Sequence, residues 1–385
     1  MKKEHPPYEY FKFTFDIYFS KVIRMKKMVY NFYAGPATLP LAALKKAQKE
    51  LLNFENTGLS LMEISHRSKE YDKMHKNASI LVKDLMVIPD DYKILWLQGG
   101  ASSQFYMVPL NLQKDGKPME YVNTGFWSKK AIKEGKFYGD VKVVASSEND
   151  NFSYIPKNIE FSSDAAFAHI TGNNTIHGTE YYEWPNVPSN VPLACDMSSH
   201  IMDRVIDPKE FGVIYAGAQK NIGPAGVTLV IVREDLLDRV PKNTPTMLKW
   251  KTHAEKDSLF NTAPCWAIYM CKLALEHLKG LGGITYIEKI NRNKAKLLYD
   301  IIDKSKGFYT GHAKKDSRSL MNVTFNLPTT ELEEKCIAEG LIKGLIGLKG
   351  HRSIGGMRAS IYNAMTIEGV QHLASFLKEF QENNE

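Results

Sequence analysis

A chain of 385 residues, 43% of them hydrophobic, is long enough for one large domain and a smaller one, each with its own core. The net charge of +7 is uneven: residues 1–28 carry +4 and only +3 is left for the rest, so no dense basic stripe marks a nucleic-acid surface. No apolar run approaches the roughly 20 residues of a membrane span. The four cysteines show no Cys-x-x-Cys and no zinc spacing, so the expectation is reduced thiols, no metal and a cytoplasmic location.

The opening residues 1–28 mix Lys with Tyr and Phe and lack the charged, apolar and small-residue zones of a signal peptide. Met25 and Met28 both precede the first core-like segment. The expectation is that translation begins at one of them, residues 1–24 being an over-extended gene start or a disordered arm. From Asp90 to Val232 the apolar runs Tyr92–Leu97, Glu120–Asn123, Val141–Ala145, Ala166–Thr171, Val191–Cys195, Val213–Tyr215 and Val227–Val232 read as strands between crossovers. Seven short strands so spaced predict an α/β domain, a mostly parallel sheet flanked by helices, with its ligand at the strands' carboxyl ends.

Beyond Pro264 the pattern changes. Trp266–Lys279 and Thr285–Lys304 read as helices, Ser319–Asn326 and Arg358–Ile361 as strands, Glu331–Glu339 and Ile367–Asn383 as helices. The expected layout is a large domain over 29–285 and a smaller α+β domain over 286–385, with about the first 12 residues of the large domain packing on the small one.

The chemistry concentrates in Tyr215-Ala-Gly-Ala-Gln-Lys-Asn-Ile-Gly-Pro-Ala-Gly226, where Lys220 sits in a Gly-rich turn between two apolar strands. A charge there is costly unless it is used. Asp196 ends another apolar run. A carboxylate at one strand end and a lysine at the next suit pyridoxal 5′-phosphate: the amine makes a Schiff base, and the acid pairs with the pyridinium nitrogen. On residues alone, Asp196-Met-Ser-Ser is equally a helix N-cap.

Gln98-Gly-Gly-Ala-Ser-Ser-Gln104 runs from a strand into a helix and offers free N–H groups to an anion, or is an ordinary capped helix. Trp127, in the loop Asn123-Thr-Gly-Phe-Trp-Ser128, is either a packing residue or a flat face for a cofactor ring. Thr171-Gly-Asn-Asn-Thr-Ile-His-Gly178 places Thr175 as a donor to a ring hydroxyl. Two His-Arg pairs, His66-Arg67 and His351-Arg352, and the later Arg358 suit a substrate with more than one anionic group.

Asn31-Phe-Tyr-Ala-Gly-Pro-Ala-Thr-Leu-Pro40, Gly99-Gly-Ala-Ser-Ser-Gln-Phe105, Gln219-Lys-Asn-Ile-Gly-Pro-Ala-Gly226, Phe260-Asn-Thr-Ala-Pro264 and Lys349-Gly-His-Arg-Ser-Ile-Gly-Gly-Met-Arg-Ala-Ser-Ile-Tyr-Asn-Ala-Met365 resemble the phosphoserine aminotransferase family. The resemblance runs from about Val29 to the C-terminus. It implies a fold-type I pyridoxal-phosphate transferase, a homodimer with shared active sites. It further implies amino transfer from L-glutamate to 3-phosphohydroxypyruvate, giving O-phospho-L-serine and 2-oxoglutarate.

Lys220 is then the Schiff-base lysine, Asp196 the pyridinium partner, Trp127 the stacking ring and Thr175 the contact to the 3′-oxygen. Ala101, Ser102 and Gln219 hold the phosphate, with Asn261 and Thr262 reaching it from the neighbouring subunit. His66, Arg67, His351 and Arg352 grip the substrate's phosphate or distal carboxylate, and Arg358 its α-carboxylate. Some relatives have Gly-Arg where this chain has Ala101-Ser102, and Ser where it has Ala34. The rival readings are another small-molecule aminotransferase of this fold, a cysteine desulfurase, or a cofactor-binding protein without catalysis. Whether 4-phosphooxythreonine is also a substrate is open.

Overall fold

The structure is a computed structural model that describes residues 28–385, so the expectations about translation start and residues 1–24 lie outside the described residues. A short strand β1 (Tyr30–Asn31) is followed by helices α1 (Leu41–Glu50) and α2 (Lys69–Met86). Helix α2 starts where the Ser68 hydroxyl accepts the Tyr71 N–H, with Glu70 and Asp72 in the first turn, a cap and a charge pattern that suit the positive end of a helix dipole. Neither α1 nor α2 was among the elements expected from sequence.

The main layer follows in chain order: β2 (Tyr92–Leu97), α3 (Gly100–Leu112), β3 (Met119–Asn123), α4 (Phe126–Gly135), β4 (Val141–Ser146), β5 (Phe167–Thr171), the small hairpin β6 (Asn173–Asn174) and β7 (Thr179–Glu180), then β8 (Leu193–Asp196), β9 (Val213–Gly217) and β10 (Thr228–Arg233). Seven of these form one sheet in the order β2-β10-β9-β8-β5-β3-β4. Only β10 runs antiparallel to its neighbours. Strands β5, β8 and β9 are buried along their whole length, as unbroken apolar runs must be when both faces of a parallel sheet are covered. The seven expected strands are these seven. Val191 falls outside β8 because its N–H turns back to Pro188 O at 2.8 Å. The strand runs on through Asp196, which is paired with Thr171 and Tyr215.

The rest of the chain is α5 (Trp250–Ala254), α6 (Cys265–Gly280), α7 (Gly283–Lys304), β11 (Thr310–Gly311), β12 (Asn322–Asn326), α8 (Thr330–Ile342), β13 (Leu345–Ile346), β14 (Met357–Ser360) and α9 (Ile367–Glu382). Gly282, at φ 110°, makes the left-handed turn that lets α7 begin before the expected Thr285. Ser319 does not start β12: its hydroxyl accepts the N–H groups of Met321 and Asn322 at 2.9 and 3.0 Å, which turns the chain first.

Helix α7 joins two cores. Ile284 and Ile287 pack with the seven-stranded sheet, whereas Ala295, Leu298 and Ile302 belong to a second cluster with Phe325, Leu373 and Phe376. Phe32 is fully buried in that second cluster, and β1 pairs parallel with β13. The N-terminal segment thus crosses to the C-terminal layer before entering the main one, and this course lays residues 34–37 against the Lys220 turn.

Candidate active site

Strand β9 ends at Gly217 and the chain returns as β10 from Thr228, leaving Lys220 on a turn beside the carboxyl end of β8. A Cβ at Gly217 would stand 2.6 Å from the Gln219 amide oxygen, so the glycine makes room for that side chain. Gly35 packs against the lysine stem, where a Cβ would lie 3.2 Å from Lys220 Cγ, and Ala37 N–H donates to Gln219 O at 2.9 Å. Lys220 Nζ lies 2.6 Å from Thr175 Oγ1 and 5.7 Å from the centre of the Trp127 ring. The side chain is reachable from a cavity, yet its amine is surrounded by protein. That burial, together with the Arg358 charge, pulls its pKa down to about 8 against the opposing pull of Asp196.

Asp196 is buried, and burial pushes its carboxyl upward; hydrogen bonds from Ser198 and the Lys220 charge oppose the rise. The Asp196-Met-Ser-Ser segment is a turn rather than a helix start. Ser198 N–H donates to Asp196 Oδ1 at 2.9 Å, and Ser198 Oγ accepts the Gly217 N–H at 3.1 Å, tying the acid to the end of β9.

Helix α3 opens at Gly100 without a side-chain cap. Its first N–H groups, on Gly100, Ala101 and Ser102, have no carbonyl within the helix to pair with and face the region where an anion is stabilised. Gly99 (φ 92°) is required there, because a Cβ would overlap the Ser103 side chain. A cavity of about 110 Å³ brings Ala101, Ser102, Trp127, Thr175, Asp196, Gln219 and Lys220 together. Phe105, Asn173, Ser198 and Ser199 also line it. Sequence reasoning missed those four, although Asn173 stands two residues from Thr175 in a motif already singled out, and both serines follow Asp196 closely.

Arg358 reaches toward this cavity from β14. Its Nη1 donates to Thr175 O at 3.4 Å, and its Nε has no protein partner. His351 brings its ring 5.6 Å from that of Phe126, itself edge-on to Trp127 at 5.2 Å, while Arg352 is exposed on the turn beyond. Burial and the charges of Arg358, Arg352 and Lys130 hold the His351 imidazole below its usual pKa. Within one chain His66, Arg67, Asn261 and Thr262 do not line the cavity. His66 and Arg67 precede α2, and Asn261 donates to Gln98 Oε1 at 3.1 Å beside a separate cavity of about 240 Å³.

The donor set fits pyridoxal 5′-phosphate. A depressed lysine, a buried acid, an uncapped helix start and an aromatic face surround one small volume, and the Trp127 Nε1 is left without a partner. Among the described residues no three His, Cys, Asp or Glu side chains could hold a metal ion, and no helix is long and apolar enough to cross a membrane.

Residues 29–373 match the family described as aminotransferase class-V. The chain is 55% identical over 357 residues to a phosphoserine aminotransferase of Geobacillus kaustophilus, an alignment covering 92% of this chain and 99% of that one. It superposes on the solved phosphoserine aminotransferase of Bacillus circulans subsp. alkalophilus with a TM-score of 0.92 at 47% identity, covering 94% and 100% of the two chains. It also superposes on a pyridoxal-phosphate-bound phosphoserine aminotransferase from Trichomonas vaginalis, TM-score 0.87 at 35% identity, covering 91% and 100%.

Proposed function

The chain belongs to the class-V aminotransferase family, and on that premise we propose that it carries the amino group of L-glutamate to 3-phosphohydroxypyruvate, giving O-phospho-L-serine and 2-oxoglutarate. It is a pyridoxal-phosphate-dependent aminotransferase of the fold-type I class. The observation that carries the aminotransferase reading is the meeting of Lys220, Asp196 and Thr175 in one cavity with Arg358 arriving from the C-terminal layer, and the 55% identity to a phosphoserine aminotransferase supports the substrate.

The bound cofactor supplies an aldehyde that bonds an amine and a ring that takes up the negative charge released at Cα. Lys220 is the residue placed to bond that aldehyde and, once free, to take the Cα proton of the amino acid on its Nζ. Its depressed pKa, about 8, suits both tasks. Asp196 would hold a proton on the ring nitrogen, Trp127 would cover a ring face and exclude water, and Thr175 would donate to the ring oxygen. The N–H groups of Ala101 and Ser102, the Ser102 hydroxyl and Gln219 bind the phosphate.

Arg358 orients the α-carboxylate through a guanidinium fork. His66, Arg67, His351 and Arg352 serve the distal anion, phosphate in one substrate and carboxylate in the other. Asn261 and Thr262 act on the site of a second copy of the chain. That reading is supported by the exposure of Phe260 (43%), which immediately precedes Asn261 in sequence. A cytoplasmic location is supported by four unpaired cysteines. The desulfurase alternative lacks support: Cys195, Cys271 and Cys336 are buried, and burial holds the half-buried Cys265 thiol protonated.

The test is the holoenzyme's visible absorbance on addition of L-glutamate, O-phospho-L-serine, L-serine or 4-phosphooxy-L-threonine. Changes with the first two and none with L-serine are expected. Arg352→Ala should raise KM for O-phospho-L-serine by ~10-fold or more, the scale of a lost hydrogen bond to a charged group, and leave cofactor affinity alone. An equal response to L-serine would transfer the chain to another aminotransferase specificity, and a response to 4-phosphooxy-L-threonine would widen it.

A further inference from the structure

The residue after the lysine is itself tied to the C-terminal layer. Asn221 Nδ2 donates to Ile201 O at 2.6 Å, five residues beyond Asp196, and Asn221 Oδ1 accepts the backbone N–H of Asn363 at 2.8 Å. Asn363 lies five residues beyond Arg358, and its own Nδ2 donates to Met202 O at 2.8 Å. Asn291, fully buried on α7, completes the joint by donating to Asn363 Oδ1 at 2.8 Å and Asp203 O at 2.9 Å.

One helical turn further along α7, Lys294 is also fully buried. Its Nζ donates to Ile361 O, Tyr362 O and Met365 O at 2.9, 2.8 and 3.0 Å, using all three of its donors on one stretch of backbone. The Tyr362 hydroxyl donates to Ala34 O at 2.8 Å, next to the Gly35 that packs on the lysine stem. The segment that leaves Arg358 is therefore held from α7 on one side and from the lysine turn on the other. These links are buried or half-buried, where hydrogen bonds rigidify and an unpaired polar atom is costly; among the described residues Asn291 Oδ1 has no partner.

We propose that Asn221 is a positioning residue that fixes Lys220 relative to Arg358, through the joint Asn221–Asn363–Asn291. The residue touches neither cofactor nor substrate in this role; it sets the separation between the amine that reacts and the guanidinium that orients the carboxylate. Lys220 and Arg358 stand on different layers of the molecule, and Thr175 takes a hydrogen bond from each. This inference rests on the roles given above to Lys220 and Arg358.

The test compares wild-type, Asn221→Ala and Asn221→Asp holoenzyme. Asn221→Asp keeps an oxygen to accept the Asn363 N–H, whereas Asn221→Ala removes both arms. Three quantities are read: KM for L-glutamate, cofactor affinity by equilibrium titration, and the pH midpoint of the visible band of the lysine-bound cofactor. The groups acting electrostatically on the lysine are Asp196 and Arg358. If Arg358 drifts away, a positive charge is lost and the midpoint moves up, by roughly half a unit to one unit.

Asn221→Ala should raise KM for L-glutamate about five- to tenfold, the scale of one buried hydrogen bond, with cofactor affinity changed less than about threefold. Asn221→Asp should return most of the KM. Should Asn221→Ala not fold, Asn363→Ala, which cuts the arms to Met202 and Asn291, replaces it with the same expected rise. An unchanged KM and an unchanged pH midpoint in the folded variant overturn the proposal, as does an equal loss in Asn221→Asp. A wild-type holoenzyme whose band ignores L-glutamate would instead overturn the functional reading beneath it.

Discussion

Lys220 Nζ lies 2.6 Å from the hydroxyl of Thr175, and the carbonyl of that same threonine accepts a hydrogen bond from Arg358 at 3.4 Å. One residue thus meets the amine through its side chain and the guanidinium through its backbone. The threonine is available for both because the chain leaves β5 and doubles back through the small hairpin instead of continuing into a helix. Its hydroxyl partner is a lysine whose charge is already weakened by burial.

That weakening has a measurable sign. A lysine with a pKa of about 8 is neutral in roughly one molecule in ten at pH 7, against about one in three thousand for an ordinary lysine. Only the neutral amine attacks an aldehyde. Capture of pyridoxal phosphate by the apoprotein, followed at its visible band, should therefore accelerate with rising pH and level off above about 8. A rate still climbing steeply at pH 10 would mean that the lysine is not depressed.

Replacement of Asp196 by Asn keeps the shape and a hydrogen-bonding side chain but removes the charge. A nearby carboxylate raises a partner's pKa by about 1–3 units, or roughly 1.4–4 kcal/mol. The Asp196→Asn variant should still admit the cofactor while turnover falls by ~10- to 1,000-fold, measured as kcat with saturating substrates. Near-wild-type turnover would remove Asp196 from the electronic role.

The wall behind the cavity offers a test read as stability rather than turnover. Gly172 follows β5 directly, and a Cβ there would overlap the His200 ring and come within 3.1 Å of Cys195 Sγ. His200 is buried, with both ring nitrogens unpartnered and its imidazole held neutral by burial. Gly172→Ala should lower the unfolding free energy by about 1–3 kcal/mol as an overpacked site. His200→Ala should relieve much of that loss in the double variant, because the two positions touch. Urea denaturation of the four proteins reads it, and additive losses would contradict the packing account.

The seven strands of the main sheet were legible because each is a short run rich in apolar residues bounded by polar loops, a pattern that holds for the fully buried β5, β8 and β9 and for the exposed edge strand β4 alike. That Lys220, Asp196, Trp127 and Thr175 come to one cavity follows a related signal. Each stands at or just past a strand's carboxyl end, where a parallel sheet leaves its ligands. Helices α1 and α2 were harder, because their periodic faces lie in a region rich in Lys and exposed apolar residues such as Leu41, Leu44 and Ile80, which blurs the boundary between core and surface.

The amino-acid sequence by itself determined which groups are available and where they stand: a lysine, an acid, an aromatic ring and a Gly-rich turn each follow a strand. Only the tertiary structure decided how these groups meet. That β1 crosses to pair with β13, that Ala34 and Gly35 close over the lysine turn, and that Asn221, Asn363 and Asn291 join two layers are all contacts between distant parts of the chain. No local periodicity encodes them. They exist because burying both cores at once brings those segments together, and their polar groups must then find partners there.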